Sequence, residues 1–314
     1  MPPTRLAVVQ SAPAFLDRQA SVELAAARVA EAAASGAELV VFTEAFIPGY
    51  PTWIWRLRPG GDWGACEALH QRLLANAVQL DSDQLEPLYQ AARQHQVTVV
   101  CGIEERDSGL SRATLYNSIL VIGPDGRLLN HHRKLMPTNP ERMVWGFGDA
   151  SGLRVVETPA GRIGALLCWE NYMPLARYAL YAEGVEIYIA PTYDSGDDWI
   201  ASLRHIAREG RCWVVGCGNL MHVSDIPADL PGREHLYPDP DEWVNPGDSL
   251  VIAPDGQVVA GPLHRETGIL TAEIDLEAAA AAKRALDIVG HYSRPDIFTL
   301  SVNRRRQTPV DFSE

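Results

Sequence analysis

Short apolar runs alternate with longer segments in which apolar positions recur at helical spacing. Leu6 to Gln10 reads as a buried strand, and the Ala-rich stretch Ser21 to Ala34 as a helix that Gly36 stops. Leu39-Val40-Val41-Phe42 is a second buried strand; a helix around Asp83 to Gln94 and strands over Val97 to Ile103 and Ser118 to Ile122 follow. Arg162 to Cys168, Ile187 to Ala190 and Val214 to Cys217 read as further strands, with helices over Pro174 to Glu183 and Ile200 to Gly210 between them. Two Pro-Asp-Gly turns, at Pro124-Asp125-Gly126 and Pro254-Asp255-Gly256, mark hairpins that echo one another. The stretch Ser224 to Gly247, rich in Pro, Asp and Glu, has no apolar period and reads as a long surface loop. Such βα units joined by hairpins predict a layered α/β fold, with parallel and antiparallel pairings in the same sheets and a single domain.

Composition narrows the picture. Hydrophobic residues at 46% and charged ones at 21% of 314 positions are ordinary globular values. A net charge of -13, from 27 basic and 40 acidic side chains, repels nucleic-acid phosphates and anionic membranes, so neither is expected as a partner. The basic run Arg304-Arg305-Arg306 is read as a solvated tail. The N-terminal sequence has no basic region followed by an apolar stretch, and no later run approaches membrane-spanning length. Cysteines 66, 101, 168, 212 and 217 form no CxxC pair, which suits a reducing compartment; the cytoplasm is the expected location.

The candidate chemistry lies where polar residues interrupt apolar strands. Glu44 follows Val40-Val41-Phe42-Thr43, Lys134 follows His131-His132-Arg133, Glu141 comes after Met136-Pro137-Thr138, and Cys168 closes Ile163-Gly164-Ala165-Leu166-Leu167. Alone, each has a bland explanation: most buried cysteines are inert, and most Glu and Lys residues are solvated or ion-paired. Together they form a working set, since a thiol needs a base and its adduct needs a cation facing the developing charge. Pro174 starts a helix soon after Cys168, a strand-to-helix corner whose amides are expected to favour a thiolate. Adjacent His131 and His132 point to opposite faces of a strand and cannot share a metal there. Gly216-Cys217-Gly218 lacks the third glycine of a dinucleotide fingerprint, and neither GxxxxGK[ST] nor GxSxG occurs. No metal and no cofactor are expected.

These blocks resemble the nitrilase superfamily, and within it the true nitrilases. The resemblance is carried by Cys168-Trp169-Glu170-Asn171-Tyr172-Met173-Pro174, Thr43-Glu44-Ala45-Phe46-Ile47-Pro48-Gly49-Tyr50-Pro51, His132-Arg133-Lys134-Leu135-Met136-Pro137-Thr138 and Asn139-Pro140-Glu141-Arg142. Ala190-Pro191-Thr192, His205 to Cys212 and His291 to Asp296 extend it over most of the chain. It implies a four-layer αββα sandwich, a carbon-nitrogen hydrolase domain over 1-290, and a C-terminal segment over 291-314 in dimer or oligomer contacts. It also implies Cys168 as nucleophile, Glu44 as base, Lys134 as oxyanion partner together with the Trp169 amide, and Glu141 as their modulator. The implied partners are a small nitrile and further copies of the chain, as a homodimer or higher homo-oligomer. Tyr50, Trp169 and Tyr193 are assigned to the pocket, where aromatic walls suit an apolar nitrile; Tyr193 is larger than the residue the resemblance leads one to expect. An amide, carbamoyl or cyanide hydrolase and a non-catalytic assembly protein remain the alternatives.

Overall fold

Along the first strand, β1 (Thr4–Gln10), Leu6 and Val8 face one core while Ala7 and Val9 face another. That two-sided burial is the pattern of a strand covered on both faces. A computed structural model describes residues 3–58, 60–109, 111–308 and 310, so residues 309 and 311–314 of the C-terminal segment lie outside it. β1 pairs in parallel with β2 (Leu39–Val41), and β2 with β3 (Thr98–Arg106); β4 (Leu115–Ile122) and β5 (Leu128–Arg133) continue the sheet antiparallel. The second sheet holds β6 (Val156–Thr158), β7 (Gly161–Ala165), β8 (Ile187–Thr192), β9 (Trp213–Gly218), β10 (Leu220–His222), β11 (Trp243–Ile252) and β12 (Val258–His264), with β7, β8 and β9 parallel. Finally β13 (Gly268–Ile274) returns to the first sheet, antiparallel to β1.

Helices α1 (Arg18–Ala34) and α3 (Glu86–His95) cover the outer face of the first sheet through Val22, Val29, Leu88 and Ala92. Helices α4 (Pro174–Ala182) and α5 (Asp197–Gly210) cover the second through Leu180, Leu203 and Ile206. Between the sheets, Leu39, Val41 and Val100 meet Ile163, Ile189 and Val215. The result is the expected four-layer αββα sandwich.

The two Pro-Asp-Gly turns do close the hairpins β4–β5 and β11–β12, each with its glycine at positive φ, 76° for Gly126 and 90° for Gly256. Several expectations need correction. Helix α1 starts at Arg18, one turn before Ser21, because the Asp17 carboxylate accepts from the amide of Ala20 at 3.0 Å and caps it there. Helix α2 (Trp63–Asn76) was not anticipated: only Leu69 and Leu73 are buried on it, too sparse a stripe to read. It packs against the stretch expected to be surface loop. That stretch buries Leu230, Leu236 and Tyr237, forms α6 (Arg233–Leu236), and yields to β11 at Trp243. A last helix, α7 (Leu276–Ala282), follows β13. The basic tail is not simply solvated, for Arg304 pairs with Glu183 and the amide of Gln307 donates to Asp149 at 2.9 Å.

Candidate active site

Four side chains meet at the C-terminal ends of β2, β5 and β7, the edge where open α/β sheets place ligands. Glu44 lies three residues past β2, Lys134 directly after β5, and Cys168 three residues past β7, so it does not itself end the strand. Glu141 sits in a 3-10 turn over Asn139–Met143. Three non-glycine residues here have left-handed backbone: Ala45 (φ 49°), Asn139 (φ 42°) and Cys168 (φ 48°). Each such residue costs ~1–3 kcal/mol and persists only where its surroundings hold it. At Cys168 the holder is Asn171, whose Nδ2 donates to the carbonyls of Cys168 (2.7 Å) and Leu166 (3.0 Å), while the Tyr188 hydroxyl donates to its Oδ1 at 2.7 Å. On the opposite side, Gly102 of β3 has no Cβ to collide with the backbone of Thr43, Glu44 and Ala45. That close approach sets the position of Glu44.

Lys134 Nζ is fully buried and donates to Glu44 Oε1 at 2.8 Å and to Glu141 Oε2 at 2.8 Å. Glu44 also accepts from Asn117 Nδ2 on Oε1 and from the Tyr193 amide on Oε2, both at 2.7 Å. Glu141 accepts in addition from the Thr138 amide at 2.6 Å and the Tyr50 hydroxyl at 2.7 Å. Thr192 Oγ1 donates to Cys168 Sγ at 3.3 Å.

Burial decides the protonation of Cys168 and Glu44 but not of Lys134. It pushes the Cys168 thiol up to about 12, with Glu44 adding to the effect and Lys134 opposing it. The corner geometry therefore does not yield a resting thiolate. Burial also raises Glu44 above the ordinary carboxylate range, against the pull of Lys134 and with Glu141 adding to the rise. For Lys134, burial works against the charge, but Glu44, Cys168 and Glu141 more than reverse it and hold the ammonium above its usual value. The arrangement is a neutral thiol beside a carboxylate with heightened basicity and a fixed cation.

Among the described residues, Glu44, Glu141 and Cys168 bring donor atoms within 4.8 Å of one another, the spacing of a metal site. The buried Lys134 ammonium sits against both carboxylates and opposes a second cation at the same place.

A cleft of about 310 Å³ opens onto Cys168 and is lined by Tyr50, Trp169 and Tyr193. Trp55, Thr138, Asp194 and Asn245, which carry no pocket signal in the sequence, line it too. Trp169 is 48% exposed, and its Nε1 donates to Asp194 at 2.7 Å. Asn117 and Thr192, the latter in the Ala190-Pro191-Thr192 block, also touch the site. Their signal is the contact itself, which only the fold creates.

The chain matches the carbon-nitrogen hydrolase family over residues 5–284, and it belongs to that family. It is 41% identical to a bifunctional nitrilase/nitrile hydratase of Lupinus angustifolius, covering 99% of this chain and 89% of that one. An aliphatic nitrilase of Sinorhizobium fredii is 42% identical, over 98% of this chain and 97% of the relative. The crystal structure of Saccharomyces cerevisiae Nit3, a member of branch 10 of the nitrilase superfamily, shares the fold with a TM-score of 0.73 at 20% identity, covering 93% and 97% of the two chains.

Proposed function

We propose that the protein is a nitrilase that converts an organic nitrile to its carboxylic acid and ammonia through covalent intermediates on Cys168. The observation that carries the reading is the Lys134 ammonium held by Glu44 and Glu141 beside a neutral thiol. Relatives named as nitrilases, alike over nearly the whole chain, support nitrile over amide as the substrate.

Glu44 takes the Cys168 proton as sulfur adds to the nitrile carbon and passes it to the nitrile nitrogen, giving a thioimidate and restoring the Glu44 carboxylate. Lys134 and the Trp169 amide stabilise the negative charge that develops on nitrogen. Water, activated by Glu44, adds to the thioimidate. The tetrahedral adduct then expels ammonia to leave a thioester, and a second water releases the acid and restores the thiol. Loss of the Cys168 sulfur from the same adduct instead gives an amide. Glu141, bound to Lys134, Tyr50 and the Thr138 amide, fixes the cation in place.

The test is ammonia, acid and amide release from a panel of nitriles, the matching amides and cyanide, with mass spectrometry of the protein during turnover. A covalent adduct on the wild type and none on Cys168→Ala is expected; undiminished turnover by the alanine variant would refute the nucleophile.

The cytoplasmic location is likewise a proposal, supported by five unpaired cysteines. So is self-association through the α4–α5 face, where Tyr172, Met173 and Leu175 are exposed, with 291–314 adding contacts; light scattering reads the mass.

A further inference from the structure

One wall of the cleft is made of three rings. The Tyr193 ring lies over Tyr50 with centroids 4.1 Å apart and planes within 11°. It is parallel to Trp55 within 3°, at 6.2 Å. The Trp55 Nε1–H, which lies in the indole plane, donates to the Tyr50 hydroxyl at 3.1 Å. Tyr50 and Trp55 therefore sit edge to edge as a nearly flat plate, and Tyr193 is the ring laid on it.

Tyr193 is held there by its backbone. Its amide donates to Glu44 Oε2 at 2.7 Å and its carbonyl accepts from Asn245 Nδ2. The side chain thus takes no part in the contacts that position Glu44. A flat aromatic plate opening onto a nucleophile is a natural seat for a substrate ring, because stacked rings gain beyond simple burial. Here the seat is filled from within.

We propose that Tyr193 is the specificity-determining residue of the cleft: by occupying the stacking surface of Tyr50 and Trp55 it confines the enzyme to nitriles with short, non-aromatic side chains. This rests on the nitrilase reading above. Removing the ring opens a slot of ring size beside Cys168 while the backbone contacts to Glu44 and Asn245 remain.

The experiment measures kcat/KM for benzonitrile and butyronitrile on wild type, Tyr193→Phe, Tyr193→Ala and, should the alanine variant be unstable, Tyr193→Val. Wild type is expected to prefer butyronitrile by roughly tenfold or more, and Tyr193→Ala to raise the benzonitrile-to-butyronitrile ratio by roughly tenfold or more, on the scale of pocket discrimination. Tyr193→Phe keeps the ring and keeps the ratio. Equal or preferred use of benzonitrile by the wild type overturns the proposal. So does a uniform fall for both substrates in the truncated variants, which marks Tyr193 as a mere brace for Tyr50. If the wild type releases ammonia from neither nitrile, the nitrilase reading is what fails, and the same ratio on benzamide and butyramide still decides the role of Tyr193.

Discussion

The backbone amide of Leu135 donates to a carboxylate oxygen of Glu170 at 2.6 Å, tying the residue after the lysine to the second residue after the cysteine. The other oxygen of Glu170 accepts from the Leu167 amide at 2.7 Å, and His132 Nε2 lies 3.1 Å from the first. Burial opposes its charge, but His132 and the two amides keep the carboxyl below its ordinary value. Glu170 is thus a positioning residue that fixes Lys134 against Cys168.

Glu170→Gln places an amide NH₂ against one of two backbone N–H groups. The expected cost is about 1–3 kcal/mol of stability for the unmatched donor. A fall in kcat of roughly 100-fold follows from loosened geometry, with KM little changed. Denaturant unfolding and steady-state kinetics read the two effects. Retention of both values shows that the brace is idle.

Glu44→Gln separates basicity from thiol acidity. Because the Glu44 charge helps raise the Cys168 thiol to about 12 and Lys134 opposes that rise, the variant's thiol should titrate lower. Its turnover should nevertheless drop by ~10²- to 10⁴-fold, the usual cost of losing a general base. The pH dependence of Cys168 alkylation, followed by peptide mass spectrometry, reports the first change. A thiol pKa that stays put or rises sinks the electrostatic account.

In the proposed mechanism Glu44 acts in its charged form, and its pKa is raised above 4.5. Below that raised pKa the base is protonated and turnover falls; above it the acid limb is complete. A kcat/KM profile against pH should therefore break at a value above 4.5. An acid limb at or below the ordinary carboxylate value removes Glu44 from the role.

Glu105 provides a stability counterpart. Burial opposes its charge, yet the His131 and Arg133 contacts bring its pKa from 4.5 down to about 2. A depressed folded-state pKa gives stability that is present above 4.5 and lost as pH falls towards 2. The shift corresponds to about 3 kcal/mol. Urea titrations across that window on wild type and Glu105→Gln should show the variant lacking this part of the slope; parallel curves would contradict it.

The buried strands were legible because their apolar runs are short and bounded, and the hairpins because Pro-Asp-Gly leaves few backbone choices. Glu44 and Cys168 stand out as reactive residues just after apolar runs, whereas Lys134 follows the polar His131-His132-Arg133 and gains meaning only beside them. Glu170 does not announce its brace, since besides His132 its partners are the backbone amides of Leu135 and Leu167, which carry no residue-type signal. Helix α2 is hard to read because only Leu69 and Leu73 are fully buried on it. The Ser224 to Gly247 stretch hides its burial for the opposite reason: apolar residues such as Ile226, Leu230, Leu236 and Tyr237 are spaced irregularly yet buried. Burial first and the neighbouring Glu44 second oppose the expected thiolate at Cys168, and a strand-to-helix corner in the sequence reveals neither.

The pairing of one ammonium with two carboxylates has a consequence for the end of the cycle. Glu44 and Glu141 outnumber Lys134, and Asp194 adds another acidic group at the cleft. An uncharged nitrile enters such a site without electrostatic penalty. The acid it becomes ionises and meets like charge on leaving, so the chemistry itself converts a tolerated guest into a repelled one and clears the cleft for the next turnover.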